Sequence, residues 1–435
     1  MLAAAVMTAS AAFAAAPAPR EVLPFIEDDY PKALAAARAA KKPIFFEAWA
    51  PWCHTCCSMK AFVFTDKALE RQAGRFVWLS VNTEKRENAA LLGKFPVKVW
   101  PSIYVIDPAT EKIVLRWAGG VTTPQLLRLL DDGEKAAGGK TAPGAVLAEA
   151  DRLYADGTYG EAAAAYRKAL ETQKPNAPSY ARTVESLLFS LSQSRQHEAC
   201  AATARDAFPN LRATPSSANV AGSGLDCALS LKDDDPQKAA LVAANAAFSR
   251  EIVAGPKTGL AADDVSAVYG SLAEERSAAK DEAGAKKTLE AWAAYLEGEA
   301  AKAKTPSQRT VFDAHRTSAC VALGQPERVV PALLLSEKDF PDDYNPPQRL
   351  AIAYGAMKKY DEALAASDRA MARAYGPRQL VVYRTRAGLY KDKGDAAAVK
   401  KTLEEMLAYA EALPKEQVNE RTIASIRKQL EAVPN

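Results

Sequence analysis

The spacing of apolar and polar positions splits the chain into two regimes. Up to about residue 133, short apolar runs alternate with short amphipathic stretches; beyond about residue 145 the pattern keeps a helical period. In the first regime, Asp28-Asp29-Tyr30-Pro31 supplies an acidic cap and an early proline. They start a helix that Ala33 and its neighbours carry to Ala40, with Lys41-Lys42 at its negative end and Pro43 stopping it. Residues 44–49 are apolar except for Glu47, the pattern of a central strand buried on both faces. A helix follows from the segment Trp52 to Cys56, with Met59, Phe62 and Val63 expected on its inner side. Then come a short helix ending at Gly74, a strand over 76–81, a helix over 84–95, strands over 102–106 and 113–117, and a closing helix over 123–134.

The second regime is rich in Ala, Leu, Glu, Lys and Arg. Tyr159-Gly160-Glu161-Ala162 and Tyr360-Asp361-Glu362-Ala363 resemble the second helix of a tetratricopeptide repeat, and weaker matches begin at Gly324 and Gly394. The small or apolar positions Val329, Ala363 and Ala398 recur at spacings of 34 and 35 residues, against a repeat of about 34. The expectation is a superhelix of helix pairs, and such arrays bind peptides or proteins. A plain helical bundle is the alternative. The expected organisation is therefore a small α/β unit at 24–133, a linker at 134–144 marked by Gly138-Gly139 and Pro143, and an all-α repeat region at 145–433.

Composition narrows the function. With 56 basic and 53 acidic residues and a net charge of +3, the chain has no electrostatic case for nucleic acid. Residues 1–16 are uncharged and Ala-rich, and an Ala-x-Ala pattern around Phe13 precedes Pro17. This reads as a signal peptide, although no Lys or Arg precedes the apolar stretch. The expected location is periplasmic or secreted, with no transmembrane segment. Six cysteines would then sit where disulfides persist.

Chemistry concentrates in Phe46-Glu47-Ala48-Trp49-Ala50-Pro51-Trp52-Cys53-His54-Thr55-Cys56, followed by Trp100-Pro101-Ser102 and Gly119-Gly120. A lone C-x-x-C says little. One placed between an apolar strand and a helix, with a proline opening a strand about 45 residues on, says much more. Over about residues 26–133 the chain resembles the thioredoxin superfamily, especially secreted domains related to the C-terminal domain of thiol-disulfide interchange proteins. The fold class is then an α/β thioredoxin-like domain followed by an all-α tetratricopeptide-like repeat superhelix.

Cys53 at a helix start is the expected nucleophile, because unpaired N–H groups there favour a thiolate. Cys56, one turn on, is the expected resolving thiol. The resemblance implies a cis bond before Pro101 and a substrate strand pairing with the backbone at Trp100, so Trp52, Trp100 and Pro101 are the expected substrate-binding residues. A trans proline opening a strand is the plainer alternative. The resemblance also implies that Glu47 is a buried carboxylate relaying a proton for Cys56; the alternative is an acid facing solvent at a sheet edge. The lysine that often accompanies this acid on the next strand is replaced here by Trp78. His54 and Thr55 should tune the redox poise, and a protonated His54 would favour the Cys53 thiolate.

Cys57 is read as incidental or mildly redox-sensitive. No metal site and no cofactor are expected, since no second pair of Cys or His is near in sequence and His197 and His315 lie far along the chain. Cys200 and Cys227 fall on two helices flanking a turn expected over 209–217, where they would form a disulfide or remain buried thiols. Cys320 reads as a core residue. The expected function is an exported thiol-disulfide oxidoreductase, favouring the reductase or isomerase direction. Its partners would be protein disulfides or dithiols, a redox partner and a peptide or protein ligand of the repeats. The rival is a binding scaffold or chaperone-like protein whose thioredoxin domain is vestigial.

Overall fold

The computed structural model describes residues 21–138 and 145–433. The expected signal segment 1–16 and residues 139–144 of the expected linker lie outside the described residues.

The N-terminal domain is a five-stranded mixed sheet with helices on both faces. In chain order its elements are β1 (Ile26–Glu27), α1 (Tyr30–Ala40), β2 (Ile44–Trp49), α2 (His54–Ser58), β3 (Val77–Asn82), α3 (Ala89–Lys94), β4 (Ser102–Asp107), β5 (Lys112–Ala118) and α4 (Thr123–Ala137). The strand order is β1-β3-β2-β4-β5; β2 runs parallel to β3 and antiparallel to β4. The two-residue β1 was not expected from the pattern, being too short to alternate.

Alternation along β2 builds two cores. Ile44, Phe46 and Ala48 face α1, while Phe45 packs with Trp78, Ile103 and Val105 beneath the C-terminal helix of the domain. Asp29 caps α1 through the backbone N–H of Lys32, as its sequence position suggests. The helix after the dithiol changes character: α2 gives way to a π-helical turn at Met59–Val63. Met59 and Val63 are buried there, but Phe62, expected inside, is exposed. Likewise α4 continues to Ala137, so residues 134–137 are helical rather than linker.

The rest of the described chain is helical. Its first half contains α5 (Ala145–Ala155), α6 (Tyr159–Thr172), α7 (Tyr180–Gln193), α8 (His197–Leu211), α9 (Ser217–Leu229), α10 (Lys238–Ala254), α11 (Ala262–Ala278) and α12 (Glu282–Ala301). Its second half contains α13 (Pro306–Thr310), α14 (Asp313–Ala322), α15 (Val330–Asp339), α16 (Asn345–Ala356), α17 (Tyr360–Met371), α18 (Gln379–Lys393), α19 (Ala396–Ala412) and α20 (Glu420–Glu431). Neighbours in sequence pack on one another through most of this array, as in a helical repeat protein. Small residues mark the close crossings: Ala162, Val329 and Ala363 are fully buried. In α19 the equivalent position is Val399 rather than Ala398. Asp395 caps the helix and starts it at Ala396, which puts Val399 at the fourth position, where α17 has Ala363.

Helix α8 runs through Pro209 to Leu211, shortening the turn expected there. Cys200 of α8 and Cys227 of α9 are joined in a disulfide.

The array also folds back onto the N-terminal domain. Buried Arg116 of β5 donates to the Tyr154 carbonyl at 3.1 Å and lies over the Tyr154 ring, anchoring α5 on the sheet. Farther along, Gln308, Asn345 and Gln417 donate side-chain hydrogen bonds to the backbone carbonyls of Ala61, Pro51 and Thr83.

Candidate active site

Cys53 sits at the N-cap of α2, directly after the loop that leaves β2. Its sulfur accepts the backbone N–H of Cys56 at 3.0 Å, a contact that stabilises negative charge on Sγ once the thiol is free. Cys53 and Cys56 are joined as a disulfide, with their Cα atoms 5.2 Å apart. Cys53 is 4% exposed and Cys56 fully buried. The peptide bond between Trp100 and Pro101 is cis. Trp49, Trp52 and Trp100 pack around the cysteine pair, and the Trp52 and Trp100 ring centroids are 5.2 Å apart.

Glu47 is fully buried beneath this site. Burial pushes its carboxyl up to about 7, opposed by the nearby ammonium of Lys60. The register places Ser80, not Trp78, opposite Glu47 on β3; Trp78 pairs with Phe45. Ser80 donates its hydroxyl to Glu47 Oε2 at 3.2 Å. The cation that β3 lacks comes instead from the π-helical turn: Lys60 Nζ is 3.5 Å from Glu47 Oε2 and donates to Ser80 Oγ. Lys60 also lies over the Trp49 ring. The sheet-edge alternative for Glu47 is thereby excluded, and the missing lysine has a substitute that strand register could not reveal.

The repeat array completes the surroundings. Asp263 of α11 is buried and reaches both residues between the cysteines: His54 Nδ1 lies 2.5 Å from its Oδ1, and Thr55 donates its hydroxyl to Oδ2 at 2.6 Å. Burial opposes ionisation of Asp263, but His54 and its other partners hold the carboxyl below the usual range. The His315 ring of α14 lies against His54, with centroids 3.8 Å apart. The expectation that His315 is remote from the dithiol is therefore corrected: distance along the chain is closed by the fold. His197 of α8 takes no part in this group.

On the opposite side, Glu84 joins the two parts. It accepts from Trp52 Nε1 at 2.8 Å and from the backbone N–H of Arg378 at 2.6 Å, while the Arg378 guanidinium lies 4.9 Å from the Trp52 ring centre. A cleft of about 410 Å³ opens here, with Trp52 and Trp100 on one wall and Pro377, Arg378 and Val381 on the other. Cys57 packs against the repeat core, and burial pushes its thiol up to about 12, so it stays protonated at neutral pH. Cys320 is a buried free thiol.

The sheet, the dithiol at a strand-to-helix junction and the cis-proline define a thioredoxin-like domain with a close C-x-x-C pair, followed by a helical repeat region. Residues 26–108 match the family model Thioredoxin_7, described as thioredoxin-like. Among solved structures, the chain is similar to a tetratricopeptide repeat protein from Parabacteroides merdae, at 9% identity and a TM-score of 0.42 over 66% of this chain and 97% of that one. It is also similar to the assembly chaperone of RpL4 (Acl4), at 13% identity and a TM-score of 0.32 over 67% of this chain and 97% of that one. No curated protein matches the sequence.

Proposed function

We propose that this protein is an exported thiol-disulfide oxidoreductase acting on protein disulfides in the reductive or isomerising direction. The observation that carries this reading is Cys53 at a helix N-terminus, its sulfur accepting the Cys56 N–H, in a domain that also has a cis Trp100-Pro101 bond.

In the reduced protein, the Cys53 thiolate attacks a substrate disulfide. A bond forms between Cys53 Sγ and one substrate sulfur, and the other substrate sulfur leaves as a thiolate that takes up a proton. Cys56, deprotonated by Glu47, then attacks Cys53 Sγ and expels the second substrate thiol. The products are a reduced substrate and the Cys53–Cys56 disulfide, which an external dithiol must reduce for the next turn. The substrate enters along the cleft beside Trp52 and Trp100, and by resemblance its backbone pairs with that of Trp100. His54 and Thr55, both held by Asp263, set the redox poise.

Export is supported by the Ala-rich character of residues 1–16 and by the Cys200–Cys227 disulfide, which suits an oxidising compartment. No helix among the described residues is long and apolar enough to cross a membrane. The test is insulin-disulfide reduction with a dithiol as electron source. The native protein accelerates it and Cys53→Ser abolishes the acceleration; equal rates for the two proteins would refute the assignment.

A further inference from the structure

The reaction above uses His54 only to set the redox poise and has no role for His315. Yet two imidazoles and a carboxylate converge where the thioredoxin-like domain meets the array. One donor atom each from His54, Asp263 and His315 lie within 4.8 Å of one another. We propose that these three residues bind a divalent transition cation of the zinc class, closing a site across the two parts of the chain. This does not depend on the dithiol being catalytic.

The donor set suits such an ion. Two imidazoles and one carboxylate match the borderline character of zinc(II), whose three-ligand sites leave a fourth position for water. Two of the three ligands, His315 and Asp263, are held from behind, as metal ligands usually are. Ser266 lies 2.7 Å from His315 Nδ1 and itself accepts from Trp292 Nε1 at 2.8 Å. This engages Nδ1 and leaves Nε2 of His315 as the donor. Thr55 holds Oδ2 of Asp263, while Oδ1 is hydrogen-bonded to His54 Nδ1, so an ion would take the place of the proton these two atoms share.

Burial supports the same reading. Asp263 is 5% exposed, so an ion held by it would be largely shielded from bulk water. The ligands come from α2, α11 and α14, elements that chain connectivity alone does not hold together. An ion here would tie the array to the dithiol face.

The test uses the full chain carrying Cys53→Ser and Cys56→Ser, which removes the two thiols that could hold zinc themselves. After treatment with a chelator, the protein is titrated with zinc sulfate by calorimetry, and bound metal is counted by elemental analysis. One zinc per chain with a micromolar or tighter dissociation constant is expected. His315→Ala and Asp263→Asn should each weaken binding at least tenfold while leaving the circular dichroism spectrum unchanged. Cobalt(II) substitution gives a readout that needs no ligand variant: tetrahedral ligand-field bands without thiolate charge transfer are expected. No stoichiometric binding, binding unaffected by His315→Ala, or a thiolate band from Cys57 would each overturn the proposal. Because both catalytic thiols are absent, these results are independent of the oxidoreductase assignment.

Discussion

At the residue scale, the buried pair of Glu47 and Lys60 makes the proposed proton relay testable. Burial raises the Glu47 carboxyl to about 7 and Lys60 restrains the rise, so the group changes charge near neutral pH. To accept the Cys56 proton, as proposed above, it must be ionised. The rate of substrate reduction is therefore predicted to climb as pH passes upward through about 7. Glu47→Gln removes that inflection and slows turnover by about 100-fold, within the range of general base catalysis. Lys60→Met takes away the charge that favours the carboxylate, so its inflection should move to higher pH. Stopped-flow kinetics between pH 5 and pH 9 checks all three curves. The linkage has a definite sign as well: an acid whose folded value lies above its unfolded one binds its proton more tightly in the fold. The Glu47 contribution to stability is thus full below about 4.5 and is lost as pH rises to about 7. Glu47 was legible in the sequence as an acid within an apolar run. Its partner was not, because Lys60 reaches it from a π-helical turn rather than from the next strand.

At the element scale, periodicity located most helices and strands of the N-terminal domain, and the motif residues at the junction of β2 and α2 were legible because each carries its own local signature. What escaped were features set by neighbours: the two-residue β1, the extension of α4 to Ala137 and the exact phase of α19. The α19 phase follows from its cap, since Asp395 fixes where the helix starts and so which residue reaches the crossing. The Cys200–Cys227 disulfide staples α8 to α9 within the main core of the array. Replacing both residues by Ala is predicted to lower stability by about 2–4 kcal/mol. In a Cys53→Ser/Cys56→Ser background, dithiothreitol should lower the melting temperature of the protein that retains Cys200 and Cys227. It should leave their Ala variant unmoved.

At the scale of the whole molecule, the array reaches the residues that flank the dithiol, namely His54, Thr55, Trp52 and Glu84. The sequence marked two regions correctly but could not show that Asp263, His315 and Arg378 return to the motif, since contacts across such distances leave no pattern in spacing. One point of closure is especially tight. Gly376 has a φ of +60°, and a Cβ there would lie 2.0 Å from the Glu84 carbonyl oxygen. Gly376→Ala is predicted to displace this segment from Glu84 and open the cleft over Trp52. The reduced dithiol should then react several-fold faster with a bulky aromatic disulfide; an unchanged rate would mean that this segment does not limit access.

The proposed activity requires that Cys53 and Cys56 form one reversible two-electron couple. Redox titration against glutathione buffers, read by alkylation and intact mass, measures it directly. A single transition is expected, with a potential between those of thioredoxin and protein disulfide isomerase, about −270 to −180 mV, that disappears in Cys56→Ser. A pair that does not titrate, or a transition that survives Cys56→Ser, would contradict it.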